Sequence, residues 1–262
     1  MELDVAHPVL LVPGEGEIVA DQPEKTLRLL VDHDALALTW FLYAAGERGP
    51  ELHIHKRHTD AFYVLSGEVS FELGPDGAHK VRGQAGAFIA APAGVVHTFA
   101  NETSEEVTFL NIHAPNMGFA DMLRARRDGR TEDADRFDQF PAPPDGGRPV
   151  SEAIVLLPGE GERIRDLVVK ISGKEIDALE IECGPGFGPG PHTHELEVDS
   201  FYMLEGELDF TLGDQVVRAG AGTLVSAPPG VVHGFKNPGP GRARFLNLHT
   251  PAAGFVDSVR KE

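Results

Sequence analysis

Eight side chains in this 262-residue sequence combine types and spacings suited to metal chemistry: His53, His55, Asp60 and His97, then His192, His194, Asp199 and His233. In each set two histidines stand one residue apart ahead of a β-type run. Side chains along a strand alternate faces with period two, so the pair points the same way. A carboxylate follows (Asp60, Asp199), then an apolar run closed by a glycine (Gly67, Gly206). The third histidine arrives after a Pro-x-Gly turn, Pro92-Ala93-Gly94 in the first set and Pro228-Pro229-Gly230 in the second. Three imidazoles and a carboxylate suit a mid-series divalent ion and leave one or two positions for water, O2 or a substrate oxygen. A single strand histidine is more often a packing or surface residue. The same constellation written twice is not explained that way.

The blocks resemble the two motifs of the cupin superfamily, G-x5-H-x-H-x(3,4)-E-x6-G and G-x5-P-x-G-x2-H-x3-N. The second motif is met at every fixed position by Gly86, Pro92, Gly94, His97 and Asn101, and again by Gly222, Pro228, Gly230, His233 and Asn237. The first departs from the pattern. Asp60 and Asp199 stand where the family usually has Glu, and Glu47 occupies the leading-glycine position that Gly186 fills in the second half. The resemblance covers nearly the whole chain. It implies an all-β protein of two tandem cupin jelly-roll β-barrels, a bicupin, with short helices after each barrel.

The same resemblance implies one divalent transition metal per cupin domain, held by His53, His55, Asp60 and His97 and by His192, His194, Asp199 and His233; Fe(II), Mn, Ni, Co, Cu and Zn are not distinguished. Asp60 and Asp199 would serve as ligands and as catalytic proton acceptors. Phe62 and Phe99 share strand faces with Asp60 and His97, and Phe201 and Phe235 repeat them, so these four are candidates both to pack and to line a substrate cavity. Among cupins the pattern is similar to that of quercetinase-like dioxygenases, which implies a small aromatic or enolic, flavonol- or catechol-like substrate and O2. Non-oxidative cupin enzymes (isomerases, decarboxylases, aminohydrolases) and non-catalytic small-molecule binders stay open, since a fold does not fix a reaction.

The elements that must position these groups follow from patterning. Ala35 to Tyr43 reads as a strand apolar on both faces, and Phe62 to Leu73 as a hairpin around Ser66-Gly67-Glu68. Phe88 to Ala91 and Val107 to His113 are further strands. Met117 to Arg127 reads as a helix with Phe119, Met122 and Leu123 on one stripe and arginines at its C-terminal end. The second half retraces this path. An N-terminal cupin domain over 1–127 and a C-terminal one over 151–262 are expected, joined by an acidic Pro/Gly-rich linker over 128–150 that Phe137 and Phe140 could pin to a surface. His58 aligns with Glu197 and reads as a loop histidine in solvent. Asn111 with His113, and Asn247 with His249, read as hydrogen-bonded strand ends.

Composition bounds the partners. Lys plus Arg number 23 against 41 Asp plus Glu, a net charge of −18, which disfavours nucleic acid and anionic membranes. The single cysteine, Cys183, forms no intrachain disulfide. Neither a basic-then-apolar leader nor an apolar run near ~20 residues is present, so a cytoplasmic monomer or homodimer acting on a small molecule is the expectation.

Overall fold

Alternating apolar positions build two antiparallel sheets in each half of the chain, and those sheets decide where the candidate ligands meet. The computed structural model describes residues 7–261. Two compact units emerge, one of Glu17–Glu160 and one of Gly161–Glu262 together with the described part of Met1–Gly16.

In the first unit a seven-stranded sheet runs in the order Ile154–Leu156, Phe88–Ala91, Thr59–Ser66, Val107–Ala114, Leu36–Tyr43, Lys25–His33 and Glu17–Gln22, with every neighbour antiparallel. A five-stranded sheet faces the same core, in the order Phe140–Pro141, His53–Ile54, His97–Ala100, Glu68–Leu73 and His79–Gln84. The second unit repeats the larger sheet with Val9–Leu11, Leu224–Ala227, Val198–Glu205, Ala243–Thr250, Asp177–Cys183, Leu167–Ser172 and Glu162–Ile164. Its smaller sheet has three strands, Gln215–Gly220, Glu207–Leu212 and His233–Lys236. The protein is therefore all-β, two tandem jelly rolls, each followed by a short helix: α1 (Phe119–Arg127) and α2 (Phe255–Val259). Among the described residues no helix is long and apolar enough to cross a membrane.

The strand registers create a polarity gradient along one inner face. Val64, Phe62 and Asp60 lie opposite Phe109, Asn111 and His113, so an apolar pair gives way to a mixed pair and then to a polar one. The second unit repeats it with Met203, Phe201 and Asp199 opposite Phe245, Asn247 and His249. Aromatic rings fill the apolar end: Phe62 and Phe99 are 4.9 Å apart between centroids, and Phe41 and Phe109 5.0 Å. Burying each such ring stabilises the fold by roughly 1.5–3 kcal/mol, so the polar groups above stand on a stiff floor.

The motif glycine after the apolar run has a steric reason. Gly67 and Gly206 turn their hairpins at φ 73° and 71°. A Cβ there would lie 2.8 Å from Val107 Cγ1 and 2.5 Å from the Arg242 carbonyl oxygen, respectively.

The compact units do not divide the chain at its change of composition. Val9–Leu11 pairs with Leu224–Ala227, which makes it an edge strand of the second unit, whereas Ile154–Leu156 pairs with Phe88–Ala91 in the first. Residues 128–150, whose composition suggests an acidic linker, fold onto the first unit. Ala134–Phe137 forms a 3-10 turn that buries Phe137, and Phe140–Pro141 adds a short strand beside His53–Ile54. Lys56 Nζ sits 3.5 Å over the Phe140 ring, so both aromatic residues anchor the segment. Helix α1 begins at Phe119 rather than Met117 because Gly118 is left-handed, at φ 82°. It buries Phe119, Met122 and Leu123 as its stripe requires, with Arg124, Arg126 and Arg127 in the last turn.

Candidate metal centres

In the first unit the strand His53–Ile54 lies beside His97–Ala100, with His53 directly opposite His97. Asp60 comes in from the other sheet, where it is paired with Ala91 and His113. The ligand atoms of His53, His55, Asp60 and His97 all lie within 4.8 Å of one another, and so do those of His192, His194, Asp199 and His233. The eight residues singled out by spacing thus converge as two separate clusters. The first is wholly buried; in the second His192 and His194 are half-buried.

The hydrogen bonds fix which ring nitrogen faces inward. Nδ1–H of His53 donates to the Glu51 carbonyl at 2.9 Å, that of His55 to the Asp138 carbonyl at 2.9 Å and that of His97 to the Val95 carbonyl at 3.0 Å. In the second unit Nδ1 of His192 and of His233 likewise meet carbonyls, of Gly190 and Val231, at 2.9 Å. Each Nε2 therefore turns a lone pair toward the cluster. There His97 Nε2 sits 3.1 Å from Asp60 Oδ2 and His233 Nε2 3.1 Å from Asp199 Oδ2. Among the described residues, the buried Nε2 atoms of His55 and His194 find no hydrogen-bond partner. Converging lone pairs beside a carboxylate call for a cation between them, and this tautomer set is the one a histidine-ligated metal requires. The donors fit the group.

Burial first, then the neighbouring His97 and His55, hold His53 well below the ordinary histidine pKa, which keeps it neutral and ready to ligate. Burial works against the Asp60 carboxylate, but His113, His55 and His97 outweigh it and hold its pKa well below the usual range. Asp199 shifts the same way, with His249, His194 and His233 overcoming its burial.

Several residues around the clusters were not legible as functional. His58 is 1% exposed rather than in solvent: its Nδ1 lies 2.9 Å from Asp138 Oδ2 and its Nε2 2.8 Å from His113 Nδ1. Asp138 is itself fully buried and also accepts from the amides of Lys56 and Arg57, so it fixes the loop that carries His55. Asn111 and His113 are not merely a strand end. Asn111 Nδ2 donates to Asp60 Oδ1 at 2.5 Å, while its Oδ1 accepts from His113 Nε2 at 3.0 Å. Asn247 and His249 do the same beside Asp199, at 2.6 and 3.0 Å. Their recurrence in both halves was the available signal. Phe119 and Phe255 stack on His113 and His249, with centroids 3.6 and 4.5 Å apart.

A cavity of about 680 Å³ opens from the first cluster, with His53, His55, Asp60 and His113 in its wall. Phe41, Tyr43, Phe99 and Phe119 supply its aromatic lining. Of the four phenylalanines expected to contact substrate, Phe99 lines this cavity. Phe62 packs beneath, against Phe71 and Phe99. Phe201 and Phe235 belong to the core of the second unit, 5.7 Å apart between centroids.

The cupin domain family matches residues 39–113 and 179–249, one match across each cluster. The chain belongs to the cupin family. With two such domains it is a bicupin, and solved bicupin folds align along nearly its whole length. A putative glyoxylate-induced protein from Pseudomonas aeruginosa superimposes with TM-score 0.67 at 17% identity, covering 94% of this chain and 89% of that one. YlbA from E. coli gives 0.69 at 12% identity, with 95% and 93% covered. Oxalate decarboxylase from Lactobacillus farciminis, solved as a formate complex, gives 0.61 at 15% identity, with 93% and 86% covered. At these identities the likeness concerns the fold. No curated protein sequence matches significantly.

Proposed function

We propose that this bicupin is a metal-dependent dioxygenase acting on a small aromatic or enolic substrate with O2. The observation that carries the reading is the cavity leading from the imidazole and carboxylate cluster, about 680 Å³ and walled by Phe41, Tyr43, Phe99 and Phe119. That volume suits a ring-sized ligand, and flat aromatic walls favour a flat substrate. His53, His55, Asp60 and His97 would hold the ion, which supplies Lewis acidity and, if redox-active, a meeting point for O2 and an enolate oxygen. The residues of the chain do the rest. The aromatic walls orient the ring and exclude water. Asp60 accepts a substrate proton while Asn111 holds its other oxygen in place. His192, His194, Asp199 and His233 would hold a second ion, with Asp199 in the equivalent role.

A non-oxidative reading, decarboxylase or aminohydrolase, draws support from the carboxylate and imidazole network around Asp60, which could run proton transfers without O2. O2 uptake by protein loaded with Fe(II) or Mn, measured on a panel of catechols and flavonols, separates the two. Consumption of O2 that disappears in Asp60→Asn supports the dioxygenase. Substrate turnover in an anaerobic cuvette supports the non-oxidative enzyme instead.

A further inference from the structure

Among the described residues, the cavity of the first cupin unit carries four cationic side chains, and one of them has no anion beside it. Lys25 pairs with Glu47 at 2.8 Å, Arg127 with Glu17 at 2.8 Å and Asp128 at 2.9 Å, and Arg48 approaches Glu72 at 3.9 Å. Arg126 lines the same cavity and has no carboxylate within salt-bridge distance among the described residues.

The internal duplication separates structural arginines from this one. Arg124, five residues after Phe119, is clamped by Glu17 and Asp121; Arg260, five after Phe255, is clamped by Glu162 and Asp257. That pair of arginines holds each helix to its sheet. Seven residues after Phe119 stands Arg126, whereas Glu262 stands at that offset from Phe255. Arg126 is thus no part of the repeated helix clamp.

Its surroundings favour a ligand. Arg126 is solvent-exposed, and the protein around its guanidinium desolvates it enough to draw its pKa below the usual arginine value. Its charge is felt by the phenol of Tyr43, another cavity residue. A partly desolvated guanidinium gains most from a planar anion that it can grip with two hydrogen bonds. Among the described residues, the carboxylates in the cavity wall are Asp21, whose Oδ1 accepts from Thr26, and Asp60, which belongs to the imidazole cluster.

We propose that Arg126 binds a carboxylate of the substrate, so that the ligand of the first unit is an aromatic or enolic acid. Its oxygens address the His53, His55, Asp60 and His97 cluster, its ring packs against the cavity face of Tyr43 and Phe99, which stack on each other at 5.9 Å, and its carboxylate reaches Arg126. The assignment of the chelating end rests on the metal-centre reading above; the anionic end rests on Arg126 alone.

The test uses Mn-loaded protein and a ladder of probes: catechol, 3,4-dihydroxybenzoate, 3,4-dihydroxyphenylacetate and 3-(3,4-dihydroxyphenyl)propanoate, with Kd read by calorimetry. At least one acid is expected to bind the wild type about tenfold or more tightly than catechol. Arg126→Gln is expected to abolish that preference and leave catechol unchanged, and Arg126→Lys to restore only part of it. If no acid outbinds catechol on the wild type, or if Arg126→Gln keeps the preference, the proposal fails. Failure of the dioxygenase reading has a different signature: Arg126-dependent binding of the acid with no O2 consumed.

Discussion

Nδ1 of His194 lies 2.9 Å from the carboxylate of Glu197. Its counterpart His55 leans instead on a neutral acceptor, the main-chain oxygen of Asp138, also at 2.9 Å. The carboxylate behind His194 bears on its metal-facing nitrogen. The carboxylates of Asp199 and Glu197 raise the His194 pKa to about 9, and in the first unit a different ligand, His53, is driven by burial well below the ordinary value. A carboxylate behind an imidazole makes it a stronger donor to a metal, but also a stronger base.

The first prediction concerns acid. A metal entering the second site must displace a proton from His194 at every pH below about 9, so its apparent affinity falls continuously as pH is lowered from there. His53 resists protonation, so the first site holds its ion to lower pH. Between pH 8 and 6 the second site is expected to empty first. Mn content measured across that range in His53→Ala/His55→Ala and in His192→Ala/His194→Ala protein checks the order; coincident midpoints would refute it.

Without metal, the signs reverse between the units. The folded pKa of His194 is raised, so its stabilisation is complete below its unfolded value of about 6.5 and is lost as pH rises through about 9. The folded pKa of His53 is lowered, so its contribution is complete above about 6.5 and is lost as pH falls below that. Thermal melts of metal-free protein should show the first unit weakening at pH 5.5 and the second at pH 9.5. A single transition shifting in one direction throughout would contradict this.

Glu197→Gln removes the anion behind His194 and also the partner of His249, whose Nδ1 lies 3.6 Å away. Metal affinity of the second site at pH 8.5 is expected to drop about 10- to 100-fold, the usual effect of losing such a partner, with a flatter pH dependence. Competition against a metal-binding dye reads both. An unchanged pH slope would mean that Glu197 does not govern His194.

Asp138 can be tested through stability. It accepts from His58, from Arg57 Nε at 3.2 Å and from two backbone amides, and these partners hold its pKa far down despite burial. Because the folded pKa is depressed, this contribution is present above about pH 4 and is lost only in stronger acid. Asp138→Ala leaves His58 and two amides without their acceptor and should cost about 3–5 kcal/mol. The exposed Asp135→Ala should stay within about 0.5 kcal/mol. Equal midpoints in urea for the two variants would show that the segment is a passive tether.

The ligand set was legible because its spacing is local: an alternating His-x-His pair, a Pro-x-Gly turn and a carboxylate on the next strand each follow from a few neighbouring residues. The residues that hold those ligands were not. Asp138 meets His55 and His58 across 83 and 80 residues, in a segment whose Pro, Gly and acidic content reads as linker. His58 has no equal in the second half, where Glu197 carries the supporting role alone, so comparison of the halves hid it. Asn111 and His113 did recur, but period-two alternation gives two faces and cannot say which one is inside. Only the pairing of His113 with Asp60 across the sheet decides that.

One consequence concerns how such a chain can be divided. The sequence repeats itself from one half to the other, yet Val9–Leu11 completes the sheet of the second unit and Ile154–Leu156 that of the first. The inherited repeat and the folding unit are out of phase by one strand. A gene cut between the repeats would give two fragments, each carrying the other's edge strand and lacking its own, with the buried strands Phe88–Ala91 and Leu224–Ala227 left as bare sheet edges. Either fragment alone would tend to aggregate, and the two expressed together could find each other again. Each cupin unit is completed at one sheet edge by a strand that the other half of the sequence supplies.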